Sequence, residues 1–182
     1  MQAARGASLN DAHPVAPPPT LRRRRLSVLF GVALLVYALD QGTKYLAVRH
    51  LSGRDPLPLI DGLLSLRLVR NSGAAFSIGT GLTAVFSIVA FLVVVVILRS
   101  ARRLASLGWA ISLGLVLGGA TGNLTDRLLR APGVLEGHVV DFLEFPNFPV
   151  FNVADSAIVC GGALLVLLTM RGIAIDGPVQ RN

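Results

Sequence analysis

Two aspartates in the carboxyl-terminal part of the sequence, Asp141 and Asp155, are the first candidates for chemistry. Asp155 lies a few residues into an apolar run, 151–170, that contains no other charge, and a carboxylate beside a membrane span is costly unless it is paired or functional. Asp141 precedes this run on an aromatic, proline-containing connector. A structural role fits Asp155 equally well, because Asn152 could cap the following helix and Asp155 would complete a capping box.

A pair of aspartates has a specific chemistry. Two carboxyl groups that face one another cannot both ionise at low cost, so they share one proton. One group can then activate water while the other protonates or stabilises a substrate carbonyl. Other signatures are absent from the sequence, which has no HExxH pair, no GxSxG elbow, no cysteine near a histidine and no phosphate-binding glycine loop. The sequence therefore favours aspartic-protease chemistry, with no metal or other cofactor.

The composition indicates what kind of protein holds this pair. Of 182 residues, 53% are hydrophobic and 15% are charged, and the mean hydropathy is +0.66, as in integral membrane proteins. The net charge of +7 does not indicate a nucleic-acid partner, because arginines cluster beside apolar runs, at 22–25 and 99–103, where membrane anchoring explains them. The single cysteine, Cys160, cannot form an internal disulfide and is expected to be a packed small residue.

Four apolar runs have roughly the 20 residues that a helix needs to cross the hydrocarbon core. They lie at 26–40, 82–98, 107–124 and 151–170. Between the first two, Leu64, Leu66 and Leu68 alternate with polar residues and lead to a turn at Asn71, which predicts a strand. The predicted fold is an all-α membrane protein with four transmembrane helices, a small extracytoplasmic β-sheet and a connector at the outer face.

The chain divides into three predicted regions. Residues 1–21 are rich in alanine and proline and are expected to form a disordered cytoplasmic tail. Residues 22–172 form the four-helix transmembrane domain, and residues 173–182 form a cytoplasmic C-terminal tail.

The distribution of arginines predicts the orientation. Placing the clusters at 22–25 and 99–103 on the cytoplasmic side, together with Arg171, puts both termini inside. The first outer loop is an exception to this pattern, because it carries four arginines: Arg49, Arg54, Arg67 and Arg70.

Under this topology, polar residues from distant parts of the chain converge at the outer face. They are Asp40, Asn71, Asn123, Arg127, Asp141, Asn152 and Asp155. The topology used only apolar runs and arginines, so this convergence strengthens the case for a site. Structural alternatives exist, since Asp40 could form a helix-surface pair with Lys44, and Asp126 could pair with Arg127 or Arg130.

The third run also carries a stripe of glycines, Gly114, Gly118 and Gly122, at every fourth position. Small residues at this spacing let helix backbones approach closely. The stripe is therefore interpreted as packing.

Five blocks of sequence together resemble the lipoprotein signal peptidases (signal peptidase II), a family of bacterial inner-membrane aspartyl proteases. The blocks are Asp40-Gln41 with Lys44, NSGAAF at 71–76, GNLTDR at 122–127, VVDF at 139–142 and FNVADS at 151–156. Several of them are weak signals alone, but five in order on four apolar runs are a strong one. They cover the chain from about residue 40 to residue 160.

The resemblance implies that Asp141 and Asp155 are the catalytic dyad. It implies a substrate site formed by Asn71, Asn123, Arg127 and Asn152, with support from Asp40, Lys44, Gly73, Ala74 and Asp126. The implied activity is removal of the signal peptide from a diacylglyceryl-modified prolipoprotein by a cut before the lipidated cysteine. The implied enzyme is a multi-pass monomer in the bacterial cytoplasmic (inner) membrane, in contact with membrane lipid, with its active site at the extracytoplasmic face.

Two alternatives concern function. Phe142, Phe145, Phe148 and Phe151 could seat a lipid-bearing substrate or form an interfacial aromatic belt without a catalytic part. A small proton- or cation-coupled transporter subunit would also keep carboxylates near its spans. A proton pathway should place acids at several depths, whereas the candidate acids all lie near the outer ends, which favours surface chemistry.

Overall fold

A computed structural model describes residues 19–73 and 83–177 of the chain. Within these residues, four helices are long and apolar enough to cross a membrane, and three strands form one sheet. The helices are α1 (Pro19–Leu51), α2 (Thr83–Ser100), α3 (Leu107–Leu129) and α4 (Val153–Met170), and the strands are β1 (Leu57–Ile60), β2 (Leu64–Asn71) and β3 (Val139–Glu144). The predicted fold class is confirmed.

Helix α1 is the longest element. It begins at Pro19, inside the end of the predicted N-terminal tail; the rest of that tail, 1–18, lies outside the described residues. Its 33 residues span about 50 Å at 1.5 Å per residue, well beyond the roughly 30 Å of the hydrocarbon core. One or both ends of α1 therefore extend past the core.

Helix α3 is the centre of the bundle and packs against the three other helices. In the most apolar 18-residue stretch of α3, 56% of the residues are buried, whereas at most 22% are buried in the corresponding stretch of each of the other three helices. A Cβ added at Gly114 or Gly118 would lie 2.7 Å from a backbone oxygen of α1. The interpretation of the glycine stripe as packing is confirmed.

The sheet has the order β1-β2-β3 with antiparallel pairing throughout. Strand β2 confirms the strand predicted before Asn71, and its Val69 lies opposite Asp141. The placement of Asp141 on a connector was wrong, because it lies in β3. The local sequence does not indicate this strand, because Val139 to Phe142 are all buried and show no alternation of apolar and polar residues. Its partner strand, β2, also lies far earlier in the sequence.

The sheet and the arginine clusters lie at opposite ends of the bundle. Val140 and Phe142 of β3 pack on Ala47 and Leu51 in the last turns of α1. At the other end of α1, the Arg25 side chain donates a hydrogen bond to the Ala105 carbonyl oxygen at 3.0 Å.

Two features at the helix surfaces complete the fold. The backbone N–H of Ala105 donates to the carbonyl oxygen of Ile175 at 3.0 Å, so residues just after α4 return to the turn between α2 and α3. Cys160 is exposed on α4, which corrects its expected packed position. Only the central helix of such a bundle is surrounded by protein, and α4 leaves most of its surface free.

Candidate active site

The ends of α1, α3 and α4 meet the sheet at one cluster of polar side chains. It contains Asp40 and Lys44 from α1, Asn71 from β2, Asn123, Asp126 and Arg127 from α3, Asp141 from β3, and Asn152 and Asp155 at the start of α4. Gly73 follows β2 at its edge, and Ala74 lies outside the described residues. Sequence positions more than 100 residues apart are thus brought together, as in the 3.0 Å hydrogen bond that joins Ala154 to Asp40.

Asn152 and Asp155 form the predicted capping box of α4. The backbone N–H of Asp155 donates to Asn152 Oδ1 at 2.9 Å, and the backbone N–H of Asn152 donates to Asp155 Oδ2 at 3.2 Å. The other carboxylate oxygen, Oδ1, accepts a 2.7 Å hydrogen bond from Asn123 Nδ2. Capping and chemistry are therefore compatible roles, because the cap fixes the orientation of the Asp155 carboxylate.

Asp141 is held by side-chain amides on both of its oxygens. Asn152 Nδ2 donates to Oδ1 at 2.6 Å, and Asn71 Nδ2 donates to Oδ2 at 2.9 Å. Asn71 is itself oriented by the backbone N–H of Gly73, which donates to its Oδ1 at 2.8 Å. Asn152 therefore donates to both carboxylates, to that of Asp141 through its side-chain amide and to that of Asp155 through its backbone N–H.

Burial changes the acidity of Asp141, whose side chain is 1% exposed. Burial raises the pKa of Asp141 from 3.8 to about 6, because it disfavours the charged form. The hydrogen bond from Asn71 opposes this rise, the nearby Asp155 charge adds to it, and Asn152 and Lys44 oppose it. The result is a carboxyl group that can be protonated under mildly acidic conditions.

Lys44 anchors the other side of the cluster and is fully buried. Its Nζ lies 2.9 Å from Asp40 Oδ2, from Asp126 Oδ2 and from Asn123 Oδ1. These three acceptors match the three N–H groups of an ammonium. Because Lys44 holds the oxygen of the Asn123 amide, the NH₂ group of that amide must face Asp155.

Asp40 joins α1 to α3 and α4. Its Oδ1 accepts the 3.0 Å hydrogen bond from the Ala154 backbone, and a Cβ at Gly122 would lie 2.5 Å from its Oδ2. The alternative of a helix-surface pair with Lys44 was wrong, because the pair exists but both side chains are buried. Gln41 had no predicted role, but its Nε2 donates to Asp40 Oδ2 and to the Gly122 carbonyl oxygen at 3.1 Å each.

Asp126 joins α3 to β3. Its Oδ1 accepts from Arg130 and its Oδ2 accepts the backbone N–H of Val140 at 3.1 Å. Of the two arginines considered as partners, Arg130 is the one that pairs with it. The bond to Val140 fixes the backbone immediately before Asp141.

Arg127 is left with hydrogen-bonding capacity beside the aspartates. It is 8% exposed, and within 19–73 and 83–177 its buried Nη1 has no hydrogen-bond partner. The guanidinium lies 5.7 Å from the ring centroid of Phe86 on α2, a contact for which the apolar run of α2 gave no signal. Gly73, at φ +91°, allows this arrangement, since a Cβ there would lie 2.7 Å from the same ring.

The four phenylalanines between β3 and the start of α4, counting the one within β3, separate into two groups. Phe145 stacks on Phe151 with 5.8 Å between ring centroids, and Phe148 meets Phe151 edge-on at 5.7 Å. Phe142 is buried under the sheet instead. Among the described residues, no group of three or more histidine, cysteine or acidic side chains is arranged to hold a metal ion.

Comparisons with known proteins find close relatives. A family model described as signal peptidase (SPase) II matches residues 32–171, which include every residue of the cluster. A lipoprotein signal peptidase of Streptomyces coelicolor is 54% identical over 167 residues, covering 92% of this chain and 82% of that protein. One of Rhodococcus jostii is 53% identical over 170 residues, covering 92% and 86%.

The fold also matches solved structures. One is described as a bacterial membrane enzyme structure by the in meso method at 1.9 Å resolution. It superposes with a TM-score of 0.70 at 29% identity, covering 79% of this chain and 92% of that one.

Proposed function

This chain belongs to the signal peptidase II family, and from that premise we propose that it is an aspartic endopeptidase of the membrane. Its substrate is a prolipoprotein whose cysteine carries a diacylglyceryl group, and it cuts the peptide bond before that cysteine. The observation that carries the proposal is the convergence of Asp141 and Asp155, from β3 and α4, on the single residue Asn152.

The two aspartates take different roles because their surroundings differ. Asp155 lies in the first turn of α4, where the helix dipole and the N–H groups of Asn152 and Asn123 favour a negative charge. Asp141 is buried in the sheet, with its pKa raised to about 6. Asp155 is therefore the base, and Asp141 is the protonated partner in the resting enzyme.

The reaction follows from these roles. Asp155 takes a proton from a water molecule, and the water oxygen attacks the carbonyl carbon of the scissile bond. Asp141 donates its proton to the carbonyl oxygen as the tetrahedral intermediate forms. When the C–N bond breaks, Asp155 gives its proton to the departing amine of the lipidated cysteine, and Asp141 recovers its own as the new carboxyl group forms.

Arg127 and Asn71 complete the proposed substrate site. The partnerless Nη1 of Arg127 can donate to a peptide carbonyl oxygen of the bound substrate. Asn71 orients Asp141 from the edge of the sheet, next to Gly73. The proposed enzyme is a monomer.

The position of the site in the membrane follows from charge. The arginine cluster at 22–25 begins α1, and the one at 99–103 ends α2, at the end of the bundle opposite the sheet. The positive-inside rule makes that end cytoplasmic. Both chain termini are then cytoplasmic, and the aspartates act at the extracytoplasmic face of the cytoplasmic membrane, where a lipid-bearing peptide is presented.

The positions of the acidic residues in the helices support an enzyme rather than a proton- or cation-coupled transporter. In the described helices the acids are Asp40, Asp126 and Asp155, and all three lie at the sheet end of the bundle. A proton pathway needs acids at several depths.

The test uses purified full-length protein with a diacylglyceryl-modified prolipoprotein and with the unlipidated form of the same precursor. The expected result is cleavage of the lipidated form only, with mass spectrometry placing the cut before the modified cysteine. Asp141→Asn and Asp155→Asn are the negative controls. Equal cleavage of both precursors would refute the lipid requirement, and cleavage by both variants would refute the aspartic mechanism.

A further inference from the structure

An apolar groove of about 530 Å³ lies outside the proposed active site, between the last turns of α1 and the sheet. Its walls are Leu46, Ala47 and Leu51 of α1 with Leu57, Leu66 and Phe142 of the strands. Ligand sites in proteins have volumes of about 300–1,000 Å³. The groove therefore has the size and lining of a site for an apolar ligand.

The groove is separate from the aspartates. Neither Asp141 nor Asp155 lines the groove, and no residue of the polar cluster is among its walls.

The depth of the groove in the membrane follows from α1. Counting roughly 20 residues from the arginines at 22–25 brings the helix across the hydrocarbon core by about Tyr45. Leu46 then lies at the outer boundary of the hydrocarbon core, and Arg54, eight residues later, lies at the level of the lipid headgroups in the outer leaflet. An acyl chain in this groove would thus have its headgroup close to the end of α1.

The rim of the groove carries a cation and an anion side by side. Arg54 and Asp55 are both exposed, and within 19–73 and 83–177 neither side chain forms an ion pair or hydrogen bond. Arg67, another arginine of the same outer loop, does pair, at 2.8 Å from Glu144. Arg54 is also one of the outer arginines that positive-inside orientation does not explain. A phosphate beside a primary ammonium matches this arrangement of charges.

We propose that this groove binds a phospholipid with a zwitterionic headgroup. One acyl chain lies against Leu46, Leu57 and Phe142, the phosphate lies at Arg54, and the primary ammonium donates to Asp55. The proposal concerns binding at the outer leaflet and does not depend on the peptidase activity.

The test identifies the lipid that is bound to the protein. Full-length protein is placed in nanodiscs with equal amounts of phosphatidylethanolamine, phosphatidylglycerol and phosphatidylcholine of identical acyl chains, and the lipids retained on the released protein are identified by native mass spectrometry. The expected result is one retained lipid, phosphatidylethanolamine, because it alone combines the phosphate with an ammonium that donates hydrogen bonds.

Three matched pairs of variants locate the lipid. Arg54→Gln should lower retention about tenfold, as loss of a charge-assisted hydrogen bond does, whereas Arg49→Gln, in the last turn of α1 and outside the groove, should not. Asp55→Asn should remove the preference for phosphatidylethanolamine, and Asp61→Asn should keep it.

The third pair of variants tests whether an acyl chain occupies the groove. Leu46→Trp fills the groove and should abolish retention, while Leu39→Trp adds the same bulk at another α1 position that is likewise 52% exposed. Equal unfolding temperatures of the two variants exclude a folding defect. Equal retention of all three lipids, preference for phosphatidylglycerol, or equal loss in the matched controls would overturn the proposal.

Discussion

Two groups of aspartates lie within one polar cluster but have different partners. Asp40 and Asp126 each lie 2.9 Å from the ammonium of Lys44. The side chains that bond to Asp141 and Asp155 are neutral amides. The first pair is bonded directly to a cation, whereas the second pair is hydrogen-bonded to neutral amides and interacts with the charge of Arg127 only electrostatically.

This difference separates structural from reactive carboxylates. A buried cation bonded to a carboxylate fixes its position and occupies its oxygens, so that they are not free to bond to a substrate. An amide fixes direction and leaves the proton free to move between the acid and a substrate. Asn123 joins the two groups, since its oxygen accepts from Lys44 and its NH₂ donates to Asp155.

The largest expected effect is on the reactive pair. Asp141→Asn or Asp155→Asn should each lower kcat/KM at least about 10⁴-fold, because the amide cannot exchange the proton. Cleavage of the lipidated precursor measures the loss. The double variant should be scarcely worse than either single one, since the two residues act as a unit.

The control for this prediction is stability. Both single variants should still fold, with a lowered unfolding temperature, because the oxygen of the new asparagine accepts one of the two hydrogen bonds while its NH₂ group faces the other donor. Turnover within tenfold of the unmodified rate in either variant would remove that residue from the dyad.

Lys44→Met is the next largest change and tests the structural pair. It should lower the free energy of unfolding by about 3–5 kcal/mol, because it leaves Asp40 and Asp126 buried without their shared cation. Unfolding in detergent micelles measures this loss. Adding Asp40→Asn should restore part of the stability by removing the charge that is left without a cation, since Asp126 still pairs with Arg130. A stable Lys44→Met protein would contradict the separation of roles.

Much of the fold could be predicted because the membrane constrains it. Apolar length identified four helices, and the predicted second and fourth runs differ from α2 and α4 by only a few residues at each end. The capping box at Asn152 could also be predicted, because a cap is a local pattern.

Contacts between distant segments could not be predicted in the same way. Strand β3 is buried on both faces and has no alternating pattern, so Asp141 was expected on a connector. Burial of Asp40 depends on the absence of a side chain at Gly122, far along the chain. Phe86 lies in an apolar run in which no position differs visibly from its neighbours, and its contact with Arg127 needed the structure.

The pH dependence of cleavage sharpens the distinction between amide and cation partners. Asp141 acts in its protonated form, so kcat/KM should fall as pH rises through about 6, the raised pKa of this group, whereas an ordinary carboxyl would lose its proton near 3.8. The hydrogen bond from Asn71 favours the charged form of Asp141, so Asn71→Ala should raise the pKa of Asp141 further and shift the fall in kcat/KM to higher pH. The apparent pKa read from this fall in kcat/KM belongs to Asp141 and Asp155 as a coupled pair.

Infrared difference spectra of the single variants show which of the two aspartates is protonated in the resting enzyme. The band of the protonated carboxyl group at intermediate pH should vanish in Asp141→Asn and persist in Asp155→Asn. The reverse pattern would exchange the roles of acid and base.

The smallest effect is expected at Glu144, an acid on the same strand as Asp141 that does have a cation partner. Its Oε1 lies 2.8 Å from Arg67 Nη1, but the Arg67 side chain is 54% exposed, so water screens the pair. Glu144→Gln should therefore change the free energy of unfolding by less than about 1 kcal/mol and leave kcat/KM unchanged. Unfolding and cleavage assays run beside Asp141→Asn make the comparison within one strand. A large loss of cleavage in Glu144→Gln would mean that any change of charge on β3 disturbs the reaction, and the effect of Asp141→Asn could then no longer be assigned to proton exchange.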